Sequence, residues 1–158
     1  MSVNVELINP FISAAQSVLR DLSQIHTKMG KPYIKNLEYE GKVLTVIVGI
    51  TGELRGQVII SLEEDIACNI ASHMMMGMPV IELNDMAKSA IAELANMVLG
   101  NAATIFSTKG IIVDITPPNL CLGSNLSFTV SDSMTICVPL ELEDGSTLLE
   151  LNIAIKAK

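Results

Sequence analysis

Tryptophan is absent from the chain and aromatic residues make up only 3% of it, so the ring platforms on which single-stranded bases stack are missing. Positive charge is scarce as well. Ten Lys and Arg face 17 Asp and Glu, for a formal net charge of -7, and no stretch gathers basic side chains as a phosphate backbone requires. Nucleic acid is therefore excluded as a partner. Cysteine is limited to Cys68, Cys121 and Cys137, an odd and widely spaced set within apolar segments, unlike a secreted disulfide framework. They read as reduced core residues. His26 and His73 stand alone, without the short-spaced partners of a metal site, so no metal is expected. No uninterrupted apolar run approaches the roughly 20 residues of a membrane span, and Met1 to Pro10 lacks a basic region followed by an apolar run. These absences place the expected protein in the cytoplasm, away from any membrane.

What remains is a chain of 158 residues, 49% hydrophobic and 17% charged, the composition of a sequence that buries a core. That length predicts a single domain over 1–158.

Asn9 and Pro10 predict the cap and first position of a helix. Its apolar positions Phe11, Ala15, Val18, Leu22 and Ile25 recur at three- and four-residue spacing, and Gly30 with Pro32 stops it near Met29. The period then changes. Runs at 33–39, 43–50 and 57–62 are rich in β-formers and are separated by Glu40-Gly41 and Thr51-Gly52, which predicts an antiparallel meander. Ser61 and Glu64 have capping-box spacing ahead of Ile66, Ile70 and Met74, with Gly77 and Pro79 as the stop. Met74, Met75, Met76 and Met78 at the end of this second helix read as core filling rather than as an adaptable binding surface.

Asn84 or Asp85 caps a third and longest helix, which runs without proline to Lys109 and meets Gly110. Further strands are predicted over 111–115, 126–130, 135–142 and 147–156. Ser131-Asp132-Ser133 and Asp144-Gly145 mark turns. The expected class is α/β of the α+β type: a largely antiparallel sheet, three helices and two similar halves meeting near residue 80. Ser13-Ala-Ala-Gln16 also aligns without a gap on Glu93-Leu-Ala-Asn96, a faint echo of one helix in another.

On the third helix, at about 100° per residue, Ser89, Glu93, Asn96 and Gly100 fall within an arc of roughly 60°. Ala87, Ile91, Leu94, Val98, Ala102 and Ile105 gather opposite. Glu93 and Asn96 are surface neighbours three residues apart. A carboxylate pairs with an ammonium group, and a carboxamide both donates to and accepts from water; neither is a nucleophile. Gly100 costs a helix about 1 kcal/mol relative to alanine, yet lets another surface approach closely, and Ala92 and Ala103 keep the flanks low. The spacing also fits an ordinary solvated face of an amphipathic helix.

The segment from Ser89 through Glu93 and Asn96 to Gly100-Asn101-Ala102 resembles the signature of the CheC/CheX/FliY family of chemotaxis phosphatases. That signature is an acidic residue or serine, three residues, Glu, two residues, Asn, and a proline some twenty-odd residues on, here Pro118 or Pro117. With one such motif the chain looks most like the CheX branch, because the CheC branch typically carries two; Gln16 and Ser13 stand where a second Asn and Glu would be. The resemblance implies removal of the phosphoryl group from the aspartyl phosphate of CheY or a similar response regulator. Glu93 would pair with the regulator's active-site lysine and Asn96 would hold the attacking water, with Ser89 and Gly100 on the binding face. It implies that the regulator supplies Mg2+ and that the chain forms a homodimer through sheet edges. The alternatives are a module that binds the regulator or a flagellar-switch component without turnover, and a structural domain whose polar helix face is simply solvated.

Overall fold

The computed structural model describes residues 5–34, 36–130 and 134–157. Its elements in order are α1 (Val5–Ser23), β1 (Lys28–Met29), β2 (Tyr33–Ile34), β3 (Leu37–Glu38), β4 (Lys42–Gly52), β5 (Leu54–Glu63), α2 (Glu64–Met74), α3 (Asp85–Thr108), β6 (Val113–Ile115), β7 (Asn119–Ser124), β8 (Ser127–Phe128), β9 (Ile136–Glu141) and β10 (Thr147–Ala157). The expected α+β class, with three helices and an antiparallel sheet, holds.

The sheet centres on β5 and β10, paired antiparallel over Leu54–Ser61 and Glu150–Ala157. On either side stand their hairpin partners, β4 beside β5 and β9 beside β10. Beyond these, β1 and β2, which follow α1, pair with β9 of the other half, and β6 and β7, which follow α3, pair with β4. β3 and β8 pair with each other as a separate ribbon. The two expected halves are thus real and interlocked, each lending its outer strands to the other's hairpin.

Strand period divides the sheet's two faces. Leu44, Val46 and Val48 of β4, Val58, Ile60 and Leu62 of β5, and Leu151 and Ile153 of β10 join the apolar sides of all three helices in the main core. On the other face, Ile59 meets Leu37 and Tyr39 under the ribbon, with Val43, Ile47 and Phe128 packed beside them. Phe11 of α1 meets Phe106 of α3 edge to face, ring centroids 5.3 Å apart. α3 is long and apolar enough to cross a membrane by length and composition. Its apolar side, however, from Ala87 to Phe106, is buried in this core.

Several boundaries depart from expectation. α1 does not start at Pro10: it includes Pro10 from Val5 onward, because Ile8, Pro10, Phe11 and Ile12 are all buried and packing outweighs the lost backbone bond. It ends at Ser23, not near Met29. Gln24 turns left-handed at φ 57, its N–H reaching the Arg20 carbonyl at 3.0 Å, and Lys28–Met29 becomes a strand on β9. The run 33–39 splits into β2 and β3, which belong to different sheets, so only β4 and β5 realise the meander.

Ser61 does not cap α2. It stays in β5, where the buried Asn152 amide donates to its hydroxyl at 3.1 Å, and Glu63 occupies the cap position without a side-chain bond. Met74 and Met75 pack on the core as expected, whereas Met76 and Met78 are exposed. Cys68 and Cys137 are buried and Cys121 half-buried, all three as free thiols. β7 has no counterpart among the expected strands. Pro117 and Pro118 interrupt the ladder opposite β4, where Thr116 Oγ1 instead accepts the Gly49 N–H at 2.8 Å, and pairing resumes at Asn119; proline is tolerated in such an edge position. The Asp144-Gly145 turn closes β9 onto β10 with Gly145 at φ 88, while the turn expected at 131–133 lies outside the described residues.

Gly56 marks the tightest place in the sheet. At φ +142, a Cβ there would stand 1.9 Å from the Ala154 carbonyl oxygen of the neighbouring strand. Gly56→Ala is expected to destabilise the fold by more than about 2 kcal/mol, read as the loss of unfolding free energy in urea titration.

Candidate functional site

α3 is built to hold its register. Asn84 Oδ1 accepts the Ala87 N–H at 2.9 Å, satisfying one of the donors that a helix start leaves open. At the far end Gly110 adopts φ +80, and the Ile111 N–H returns to the Phe106 carbonyl at 3.0 Å, closing the helix as expected. Between these ends, Ala87, Ile91, Leu94, Ala95, Val98, Leu99, Ala102 and Phe106 are buried. That stripe fixes which side of the helix faces out.

The outward side carries the expected constellation. Ser89, Glu93 and Asn96 are exposed and Gly100 is half-buried. On a helix, positions three apart bring Cβ atoms within about 5–6 Å, so the carboxylate and carboxamide form one surface. Among the described residues neither side chain is held by a hydrogen bond or ion pair of the chain's own. Ala92 and Ala103 are half-buried beside them, and a Cβ at Gly100 would meet nothing within 4 Å. The helix backbone is thus bare just past Asn96. Thr104, absent from the residues that the motif singles out, extends this face by donating its hydroxyl to the Gly100 carbonyl at 3.1 Å; its signal in the sequence is its spacing of four from Gly100.

The echo on α1 lacks this chemistry. Ser13 is exposed but carries no charge, and Gln16 Nε2 donates to the Thr27 carbonyl at 3.3 Å, so its amide is committed to the chain itself. Of the two prolines offered by the motif, Pro118 is half-buried and Pro117 exposed, in the link between β6 and β7.

Among the described residues two concavities lie elsewhere, one of about 640 Å³ lined by Ile34, Glu38 and Phe128 and one of about 660 Å³ between α2 and the β9–β10 turn. None of Ser89, Glu93, Asn96 or Gly100 lines either. Small-molecule sites are concave, so this low, open helix face suits a macromolecular partner better. Among the described residues no three His, Cys, Asp or Glu side chains gather to hold an ion.

The outward face of α3 thus presents a carboxylate and an amide, open to whatever approaches the helix. The family model described as "Chemotaxis phosphatase CheX" matches residues 44–141. "CheY-P phosphatase CheX" of Thermotoga maritima is 35% identical over 159 residues, covering 98% of this chain and 99% of its own. A CheC-like superfamily protein from Shewanella sp. PV-4 superposes with TM-score 0.85 at 28% identity, covering 98% of this chain and all of the other. A chain of the CheX–CheY–BeF3–Mg2+ complex from Borrelia burgdorferi superposes with TM-score 0.78 at 34% identity, covering 97% and 99%. The chain belongs to the CheX family.

Because Gly100 sits in helical backbone with open space at its Cβ position, Gly100→Ala is expected to raise unfolding free energy by about 0.5–1 kcal/mol. Thermal and urea denaturation check this; a loss of stability would mean that Gly100 is needed for the fold rather than for what approaches it.

Proposed function

We propose that this chain dephosphorylates a CheY-like response regulator, with Asn96 positioning the attacking water and Glu93 docking the regulator's active-site lysine. The observation that carries this reading is the exposed Glu93–Asn96 pair, one helical turn apart and unengaged within the chain, in a member of the CheX family.

The chemistry follows from what the two groups offer. Water oxygen attacks phosphorus as the bond from phosphorus to the aspartyl oxygen breaks. The regulator's aspartate leaves as a carboxylate, and both of the water's protons stay with the inorganic phosphate, released as dihydrogen phosphate. Phosphoryl transfer needs little covalent help once the nucleophile is in line and charge is balanced. An amide is a poor base, but its carbonyl accepts from water while its NH2 donates to a phosphoryl oxygen, and that suffices for positioning. Glu93 contributes a charge-assisted bond to an ammonium group, which fixes the regulator on α3. Mg2+ belongs to the regulator and balances the phosphoryl oxygens' charge. The Borrelia complex pairs a CheX with CheY, Mg2+ and BeF3, in which beryllium trifluoride stands in for the phosphoryl group. Its likeness to this chain supports the same division of labour. Ser89 and Gly100 belong to the binding face, the first by a hydroxyl and the second by the close approach it permits.

The test is the lifetime of phosphate on regulators of the same organism, with and without the chain. The native protein is expected to shorten it. Asn96→Ala should lose at least about 100-fold in kcat with unchanged stability, and Glu93→Ala should raise apparent KM by about tenfold. Normal acceleration by Asn96→Ala contradicts the assigned role, and binding of the phosphorylated regulator without any shortening by the native chain would make the protein a docking module instead.

A further inference from the structure

The Glu93–Asn96 face is continued toward the start of α3 by Met86, and a second apolar side chain that the core does not use, Ile81, stands ahead of the helix. Met86 stands seven residues before Glu93 and three before Ser89, and is 60% exposed. Ile81, in the segment that leads into α3, is 96% exposed. This segment is anchored. Leu83 is buried, Val80 packs on the main core, the Asn84 N–H closes a turn on the Glu82 carbonyl at 2.8 Å, and the Asn84 side chain caps α3. Ile81 is therefore held out between two tethered neighbours.

We infer that Met86 and Ile81 form the apolar half of the docking surface for the regulator, which seats its own apolar residues there while Glu93 and Asn96 take the reactive centre. The inference rests on the proposed function, and its support is geometric. Seven residues of helix separate Met86 from Glu93 by about 10 Å along the axis. A standard protein–protein contact covers roughly 800 Å² per partner, a patch of about 16 Å radius. A regulator centred on Glu93 and Asn96 thus covers Met86. Toward the other end the helix face continues as Gly100, Thr104 and Ser107, all without apolar bulk, and the exposed Ile112 stands beyond the helix end, at least about 18 Å along the axis from Asn96. The apolar contact that anchors most interfaces is therefore available on the Met86 side. The occupant to which this surface is assigned is the phosphorylated regulator; a second copy of the chain is the competing outcome.

The measurement is titration of the full chain with a CheY-like regulator of the same organism carrying Mg2+ and BeF3, a readout that does not depend on turnover. Met86→Asp and Ile81→Asp are each expected to raise Kd by about tenfold and Met86→Leu to stay within about twofold of the native value. In the dephosphorylation assay the Asp variants should raise KM by a similar factor with kcat nearly unchanged, unlike Asn96→Ala. Unchanged Kd in both Asp variants, with the native chain binding, overturns the inference. So does a change in sedimentation of the variants with regulator affinity intact, which would give the patch to self-association. Should the native chain bind but fail to shorten phosphate lifetime, the phosphatase reading falls while the Kd comparison still decides the docking surface.

Discussion

The burial of one stripe of α3 fixes which side chains that helix presents to its surroundings. Ala87, Ile91, Leu94, Val98, Ala102 and Phe106 go into the core, with Phe106 locked edge to face on Phe11. Once they do, the helix cannot rotate about its axis without exposing several of these side chains, at about 1.5–3 kcal/mol for each larger one. Glu93 and Asn96 face outward because their neighbours face inward. Their aim is a packing property of the whole domain, and no local interaction of the two side chains is needed to hold them.

The interlocked sheet sets two helices in corresponding places, and only one of them presents an unengaged carboxylate beside an unengaged amide. α1 and α3 occupy corresponding places, each followed by outer strands that cross to the other half's hairpin. The α1 face keeps Ser13 where α3 has Glu93, and Gln16 spends its amide on the Thr27 carbonyl. That bond ties the chain just ahead of β1 to α1. The same surface position thus serves stability in one half and is left unengaged in the other.

Local signals in the sequence account for α3 and its face, and tertiary contacts account for most of what the sequence hides. The limits of α3 are legible because Asn84 and Gly110 each act locally, through a side-chain cap and a left-handed residue. The site is legible because helical period alone separates Glu93 and Asn96 from the apolar stripe. The α1 boundaries are not, since they are decided at long range: burial of Ile8 and Phe11 carries the helix back through Pro10, and a left-handed Gln24, not a glycine, stops it. β7 is hidden because its pairing with β4 is long-range and the two prolines ahead of it read as a break. Ser61 carries a convincing local capping signal that loses to a sheet position bonded to Asn152. The family resemblance carried by Ser89, Glu93, Asn96 and Gly100 extends over nearly the full length of the Thermotoga relative.

The central claim is that the outward face of α3 enters another protein's phosphorylated site. A crystal structure of this chain bound to its regulator with Mg2+ and BeF3 tests it most directly. The account predicts the Asn96 amide within hydrogen-bond distance, about 3 Å, of a water in line with beryllium, and the Glu93 carboxylate on a lysine of the regulator. A regulator seated elsewhere, with the α3 face still open to solvent, would contradict it.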